Sequence, residues 1–355
     1  MKRTIWIVLL LFLLSGQAAA ANEQLPPELQ LASPEAAALL TDGADGSFGL
    51  ADGVAAILKD TLTDVREYIT APLRSLVSIV VGVVLLGLME TLGGTYAARH
   101  TNLVGALYIT AVSAGDLHSL IGLGRETVAQ VSALSKTLIP ALAAATAATG
   151  GITSASVRQV ITVFFTDLLL TAIDRLFIPL LYLYIALAAA TAVLDNRAME
   201  NIASMIRKGM VWALSGLLAA FTAYLSISGA VAGATDAHAV RIAKTAVSTM
   251  VPVVGGILSE AADSVLGGAQ VLRAMIGVFG ALAVLSLCLL PFLRLGIQYL
   301  LYQTAVLTAH TAGPHKLAKM LRMFANAFAL VLAMTGASAM LLLISLVSTL
   351  TVVAA

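Results

Sequence analysis

Five ionisable residues lie in or at the ends of long apolar runs: Glu90, Asp116, Asp167, Asp174 and Arg175. An unpaired charge at the centre of a membrane costs at least about 2.5 kcal/mol, so each of them needs a partner or a function. Asp167 and Asp174 are seven residues apart, which is about two helical turns, and therefore share one helix face. Arg175 is placed to neutralise Asp174 or a neighbouring carboxylate. These last three residues predict either a polar pathway for ions or protons, or structural contacts between helices.

The other reactive side chains form no catalytic or metal-binding motif. The sequence has no Gly-rich phosphate loop ending in Gly-Lys-Ser/Thr and no His-Glu-x-x-His zinc helix. Its five histidines lack metal-ligand spacing, and its single cysteine, Cys288, is interpreted as a small apolar filler. An aspartyl intramembrane protease is a third alternative, but Asp167 and Asp174 lack a Tyr-Asp or Gly-x-Gly-Asp context. We therefore predict no enzymatic activity, no cofactor and no metal.

The elements that position these residues must lie in lipid. The chain has 355 residues, of which 59% are hydrophobic and 11% charged, and the mean hydropathy is +0.96. A soluble domain of this length needs far more charge, and a net charge of +1 without a basic block gives no sign of nucleic acid binding. The apolar runs predict an all-α, polytopic transmembrane helical bundle with six or more spans. The runs cover residues 75–92, 103–121, 160–194, 211–233, 271–310 and 324–349.

The N-terminal part of the chain is predicted to be an export signal followed by an acidic segment. Residues 1–21 combine two basic residues, an apolar core of about ten residues and a run of alanines, which is typical of a signal peptide. The alternative is an uncleaved anchor. Segment 22–74 is acidic, as translocated segments are, and is predicted to be extracytoplasmic. Within it, residues 52–68 predict an amphipathic helix on the outer membrane face or against the bundle.

The positive-inside rule predicts the orientation of residues 75–355, the transmembrane helical domain. With segment 22–74 outside, six crossings place Arg99, the polar helix 195–208 and the basic turn 316–322 on the cytoplasmic side. Segments 127–151 and 236–268 are too polar for ordinary spans. They predict outer-face helices leading into re-entrant or hairpin pieces around a proline.

A weak internal repeat divides the transmembrane domain into residues 125–236 and 237–349. Three residue pairs are each separated by 112 positions: Pro140 and Pro252, Pro179 and Pro291, and Arg207 and Lys319. The prolines at 179 and 291 predict breaks inside two long apolar stretches. An even number of crossings per unit makes the repeats parallel. Paired repeats with broken helices are typical of secondary transporters, which is one functional alternative for this chain.

Small residues form two candidate helix-packing faces. Gly229 and Gly233 are four residues apart, and Gly277, Gly280 and Ala283 form a second face. Such faces let helices approach closely, either within one chain or between copies in a homo-oligomer.

The stretch from residue 236 to 280 is the most distinctive part of the sequence. Its motif residues are Asp236, Arg241, Ala243-Lys244, Pro252-Val253-Val254-Gly255, Ala262-Asp263, Val265-Leu266-Gly267, Ile276-Gly277 and Gly280. This stretch closely resembles the stage III sporulation protein AE family of endospore-forming bacteria. The signal peptide, the acidic segment and the order of spans are similar to that family too.

The resemblance implies a permease-like subunit of the mother-cell membrane complex that joins a forespore partner to form a channel. It implies other stage III A-operon membrane proteins as partners, location in the mother-cell (outer forespore) membrane, and a requirement for forespore development. No catalytic residues of the family carry over. Pro252, Gly255 and Gly256 predict a re-entrant or hinge element facing the intermembrane space, because proline fixes φ and glycine permits close backbone approach. The alternative is a sharp turn that only packs the bundle.

Overall fold

The computed structural model of the chain describes residues 50–194, 196–250 and 255–351. The predicted signal peptide, residues 22–49 of the predicted exported segment, and Pro252 lie outside the described residues. The described ranges hold six α-helices, one π-helical segment and no strand. In chain order these are α1 (Leu50–Ala148), α2 (Ile152–Ala172), the π-helical segment (Ile173–Phe177), α3 (Ile178–Leu194), α4 (Arg197–Met250), α5 (Gly255–Ala312) and α6 (His315–Thr351).

Six stretches of the described helices are long and apolar enough to cross a membrane. They are Pro72–Gly93, His100–Ala148, Ile152–Leu194, Arg197–Asp236, Ser264–Ala312 and His315–Thr349. Helices suit such sequences because lipid offers the backbone no hydrogen-bond partner, so each N–H and C=O must be satisfied within the segment. The prediction of an all-α polytopic bundle with six or more spans is confirmed.

Helix α1 folds back on itself and supplies the first two spans. The hydroxyls of Ser78 and Tyr108 lie 2.7 Å apart although 30 residues separate them, a distance of about 45 Å along a straight helix. The chain must therefore reverse between the spans Pro72–Gly93 and His100–Ala148. Gly82 permits the close contact of the two arms, because a Cβ at this position would lie 2.9 Å from Cδ1 of Tyr108 and closer still to Cε1 of the same ring.

The second arm of α1 runs antiparallel to α2. Lys136 pairs with Asp167, and Arg125, earlier on α1, pairs with Asp174, which lies after α2. Contacts between α2 and α6 follow the same antiparallel order. The helices therefore alternate in direction, as in an up-and-down bundle.

The connections between helices gather at two ends of the bundle. An ion pair between Lys319 and Glu200 brings the starts of α6 and α4 together. Gly87, near the reversal of α1, packs against Ala312 at the end of α5. One end therefore holds the α1 reversal and the α3–α4 and α5–α6 connections. The α1–α2 connection and the last turns of α6 lie at the opposite end.

Helix α6 is the central helix, and two hydrophobic clusters meet on it. In the first cluster the rings of Tyr302 and Phe328 have centroids 4.8 Å apart. The second cluster includes Leu138 and Leu346, which are fully buried, and Cys288, which is 4% exposed. Lipid tails are as apolar as these side chains, so the hydrophobic effect does not drive the helices together within the membrane. Close van der Waals packing between the side chains stabilises the bundle instead.

The predicted amphipathic helix 52–68 is part of the first arm of α1. Ile57 on this helix is buried in the second hydrophobic cluster. This end of α1 therefore packs against the bundle.

Two of the predicted helix breaks are absent from the described helices, and a third is a change of helix type. Pro140 lies inside the second arm of α1 and Pro291 lies inside α5, and the helix continues through each of these prolines. Neighbouring helices and local adjustment accommodate proline within membrane bundles, and sequence periodicity does not reveal this. Near Pro179 the helix widens into the π-helical segment Ile173–Phe177 instead of ending. The wider turn of the π-helical segment compensates for the backbone hydrogen bond that Pro179 cannot donate.

Candidate functional site

Asp167 and Asp174 both face the second arm of α1. The Nζ atom of Lys136 lies 3.2 Å from Oδ1 of Asp167, and Nε of Arg125 lies 2.8 Å from Oδ1 of Asp174. Each carboxylate therefore has a basic partner on the same neighbouring helix. Arg125, and not Arg175, neutralises Asp174.

These two ion pairs lie at the surface of the described bundle. The side chains of Asp167 and Lys136 are 51% and 54% exposed, and Arg175 is exposed as well. Both pairs lie on helices that are long and apolar enough to cross a membrane. Their geometry is that of contacts between helices, while a polar pathway through Asp167, Asp174 and Arg175 stays a prediction.

Asp116 is the carboxylate that the fold places between membrane helices. Its Oδ2 accepts a hydrogen bond of 2.8 Å from Nε2 of Gln298 on α5, and its Oδ1 accepts one of 3.3 Å from Ser75 on the first arm of α1. The hydroxyl of Tyr302 lies 3.5 Å from Oδ2. Gln298 and Tyr302 are each 1% exposed. Asp116 therefore joins both arms of α1 to α5.

The donors around Asp116 are all neutral. No described Lys or Arg forms an ion pair with it. A carboxylate in this setting can exist in two forms, because it accepts hydrogen bonds when ionised and donates one when protonated. The Asp116 cluster (Asp116, Ser75, Gln298 and Tyr302) can therefore hold a proton between the helices.

Two buried arginines lie near the opposite end of the bundle. Arg158 on α2 is 4% exposed and Arg273 on α5 is 3% exposed. Nη1 of Arg158 donates to the backbone oxygen and, at 3.0 Å, to the hydroxyl of Ser348 in α6. Gly229 on α4 makes room for the guanidinium, since a Cβ at this position would lie 2.8 Å from Nη2 of Arg158.

Sequence reasoning missed both arginines. Arg273 lies inside the apolar run 271–310 and Arg158 lies just before the run 160–194. A lone basic residue at such a position, with no acidic residue within a helical turn, is a signal that could have identified them.

A small cavity adjoins Arg158 between α1, α2 and α6. Its volume is about 10 Å³, which is room for one water molecule. Hydroxyl-bearing residues line it together with Arg158: Thr146, Ser345 and Thr349. The cavity therefore joins polar side chains of three helices.

Asp236 lies at the same end and accepts hydrogen bonds from the start of α2. Its Oδ1 accepts a hydrogen bond of 3.0 Å from the backbone N–H of Thr153, and its Oδ2 accepts one of 2.8 Å from that of Ser154. These are the free N–H groups at the start of α2, so Asp236 on α4 caps this helix.

The predicted hinge element is described only in part. Gly255 and Gly256 form the first residues of α5, and Pro252 lies outside the described residues. A hinge or re-entrant role for these three residues stays a prediction. Of the small residues, Gly280 packs within the chain, since a Cβ there would meet Leu138 at 2.5 Å.

Metal ligands do not cluster within the described residues. No group of three or more His, Cys, Asp or Glu side chains there has an arrangement that could hold a metal ion. The rings of His310 and His315 lie 5.4 Å apart, and Arg322 contacts His310.

The fold and its polar clusters define the class of protein: a multi-pass α-helical membrane protein. The chain belongs to the family Stage III sporulation protein AE, whose sequence model matches residues 39–354. This confirms the resemblance found in the sequence. No solved structure matches it.

A curated relative agrees with this family. The Stage III sporulation protein AE of Bacillus subtilis (strain 168) is 23% identical over 207 residues, which cover 58% of this chain and 52% of the relative. The chain thus spans about half the length of the curated relative that it matches.

Proposed function

We propose that the chain is an integral membrane component of the stage III A sporulation complex that links mother cell and forespore. It acts there as a permease-like conduit or as a scaffold, without enzymatic activity, and forespore development requires it. The observation that carries this proposal is the family match over residues 39–354, together with six helices that can cross a membrane.

The proposed location is the mother-cell (outer forespore) membrane. The end of the bundle with the α1 reversal and the α3–α4 and α5–α6 connections faces the cytoplasm, because basic residues follow these connections. Arg197 starts α4, and Lys316 and Lys319 lie in the first turns of α6. The N-terminal segment and the α1–α2 connection then face the intermembrane space.

The proposed partners are the other stage III A-operon membrane proteins and, through them, a forespore membrane protein. Exposed apolar side chains on the first arm of α1 support contacts with lipid or with such helices. Leu85, Leu88, Met89 and Leu92 are each more than half exposed. A homo-oligomer is a further arrangement in which the same face packs against a second copy.

Affinity purification from sporulating cells tests the proposal. A tag at Ala355, mild detergent and mass spectrometry should recover the other stage III A-operon products with this chain. A polytopic membrane protein with the same tag, expressed at the same stage, controls for incomplete solubilisation. Recovery of the chain alone from verified intact membranes, or normal spores after deletion of its gene, would contradict the proposal.

The second candidate is an autonomous secondary transporter that uses intramembrane carboxylates. The Asp116 cluster favours it, since a half-buried carboxylate with neutral donors is suited to bind and release a proton. Purified protein in liposomes should then take up a small solute, and Asp116→Asn should abolish uptake. Asp167→Asn and Asp174→Asn are the matched variants at exposed positions. Uptake that survives all three substitutions would remove the carboxylate mechanism.

A further inference from the structure

We propose that the interface between α1, α2 and α6 binds two buried water molecules, which join α6 to the other two helices. One water lies among Ser132, Thr166 and Ser338, and the other lies beside Arg158. This proposal does not depend on the sporulation complex, because it rests on side chains and cavities within one chain.

Buried polar side chains follow one face of α6 along this interface. Ser338, Ser345 and Thr349 are each at most 5% exposed. They are seven and four residues apart and therefore lie on the same side of the helix. Between the two cavities, Thr162 on α2 contacts Ser345 directly, with 2.6 Å between the hydroxyl oxygens. Lipid cannot supply hydrogen bonds to such groups, so each of them needs a partner inside the interface.

The first cavity has room for one water next to hydroxyls that lack a partner. Its volume is about 10 Å³, and Ser132, Thr166 and Ser338 line it, one from each helix. Oγ of Ser132 and Oγ1 of Thr166 are shielded from solvent and have no hydrogen-bond partner among the described residues. Ser338 donates its hydroxyl proton to the backbone oxygen of Thr335 at 2.8 Å, so its own oxygen is free to accept.

One water satisfies all three side chains of the first cavity. It can accept hydrogen bonds from Ser132 and Thr166 and donate one to Ser338. Buried waters ordinarily make about three hydrogen bonds to groups that have no other partner. A buried hydroxyl without a partner costs free energy, so two of them in one cavity favour a bound water over a dry cavity.

The cavity beside Arg158 has the same kind of lining and also a volume of about 10 Å³. Nε and Nη2 of Arg158 have no hydrogen-bond partner among the described residues. Thr146 and Thr349 donate their hydroxyl protons to the backbone oxygens of Leu142 and Ser345, at 2.7 and 2.8 Å. Their oxygens can therefore accept hydrogen bonds from a water, and the same water can accept one from the guanidinium.

A third cavity, between α1, α3 and α6, provides a comparison within the same bundle. Its volume is also about 10 Å³, but apolar side chains such as Ile121, Leu181 and Val331 line it. Arg125, which lines it too, pairs with Asp174 through Nε. Apolar cavities stay dry, because a water inside them makes no hydrogen bonds. The polarity of the lining, and not the volume, therefore distinguishes the two proposed water sites.

Radiolytic footprinting of the full chain in detergent tests both sites. An X-ray pulse converts bound water into hydroxyl radicals, which oxidise adjacent side chains even when these are shielded from bulk solvent. Leu341 lines the first cavity, Leu142 the second and Leu181 the comparison cavity, and each is at most 2% exposed. We expect oxidation of Leu341 and Leu142 to be several times stronger than that of Leu181.

The substitution Thr166→Val tests the first site through the sign of its effect on the Tm. Valine has nearly the shape of threonine but lacks the hydroxyl, so a bound water loses one hydrogen bond and the Tm should fall by about 2–4 °C. In a dry cavity the same substitution would remove an unpartnered hydroxyl and raise the Tm. Thr222→Val on α4 is the matched control, since Thr222 is exposed and its hydroxyl donates to the backbone of its own helix.

The two measurements must agree. In Thr166→Val the oxidation of Leu341 should fall towards that of Leu181, while the oxidation of Leu142 beside the second cavity should stay unchanged. Oxidation of either Leu341 or Leu142 in the wild-type chain that is no stronger than that of Leu181 would overturn the proposal. A rise in the Tm of Thr166→Val relative to Thr222→Val would overturn it as well.

Discussion

The carboxylate of Asp236 on α4 accepts a hydrogen bond of 2.8 Å from the backbone N–H of Ser154, a residue 82 positions earlier in the chain. The same carboxylate accepts the N–H of Thr153. Helix α2 follows Gly151, which has no side chain to cap it. A side chain from a distant helix therefore does what a local Ser, Thr, Asp or Asn ordinarily does.

Removal of this cap should destabilise the bundle. We expect Asp236→Ala to lower the free energy of unfolding by about 0.5–2 kcal/mol, because the N–H groups of Thr153 and Ser154 lose their acceptor. Asp236→Asn keeps one acceptor oxygen and should cost less. Denaturant unfolding of the purified chain in detergent measures both. Equal losses for the two variants would argue against a capping role.

Asp116→Ala should cost more than a substitution at an exposed carboxylate. It leaves the buried amide of Gln298 without its acceptor, with an expected loss of about 1–3 kcal/mol. Asp174→Ala is the matched variant, and its expected loss is below about 1 kcal/mol because the pair with Arg125 is exposed. Thermal unfolding in detergent compares them. The reverse order of losses would contradict the burial of the Asp116 cluster.

The pair between Lys136 and Asp167 should show weak coupling. A double-mutant cycle with Lys136→Ala and Asp167→Ala should give an interaction energy of about 0.2–1 kcal/mol, because both side chains are about half exposed. Raising the salt concentration should reduce it further. A coupling energy well above this range that salt does not alter would indicate a buried, functional pair.

Gly87 is packed so closely that no larger residue should fit at this position. A Cβ at this position would lie 2.9 Å from the carbonyl carbon of Ala312 and 3.0 Å from Cα of Gly313, and backbone cannot move aside as a flexible side chain can. We expect Gly87→Ala to destabilise the chain by about 1–3 kcal/mol. Gly216→Ala is the control, since no atom lies within 4 Å of its Cβ position. There the helix preference of alanine should give a gain of up to about 1 kcal/mol. Similar effects of both substitutions would contradict the close approach of α1 and α5.

Cysteine labelling tests the proposed orientation with two histidines at opposite ends of the bundle. In a Cys288→Ala background expressed in non-sporulating cells, where the extracytoplasmic side faces the medium, His238→Cys should react with a membrane-impermeant maleimide added outside intact cells. His315→Cys should react only after permeabilisation. Both histidines are exposed, so accessibility within the chain does not separate them. Labelling in the opposite order would contradict the proposed orientation and indicate the reverse one.

The sequence predicted the helices well because apolar length is a local property. Six spans follow from runs of residues such as 75–92 and 324–349, and lipid leaves helix as the available backbone state. The prediction of helix breaks from the sequence was wrong at Pro140 and Pro291, where neighbouring helices keep the backbone helical. Whether a proline breaks a helix depends on what packs around it, and no local pattern contains that information.

The candidate sites were less predictable for the same reason. The spacing of Asp167 and Asp174 places both on one face, but only the fold identifies Lys136 and Arg125 as their partners. Arg158 and Arg273 are buried on helices far apart in the chain, and in the sequence each resembles an isolated basic residue near a span. Sites of this kind become visible only when the order of helices in space is known.

The hydrogen bond between Asp116 and Gln298 also bears on how the protein is made. A ribosome adds 182 residues between these two positions, which takes about 10–40 s at ordinary rates of synthesis. Throughout that interval the newly inserted α1 has Ser75 as a donor for Asp116, while the donor from α5 does not yet exist. The first hairpin therefore enters the membrane with an incompletely satisfied carboxylate. Its final docking awaits translation of the fifth span, so a pause in synthesis before Gln298 exposes the nascent chain to membrane quality control.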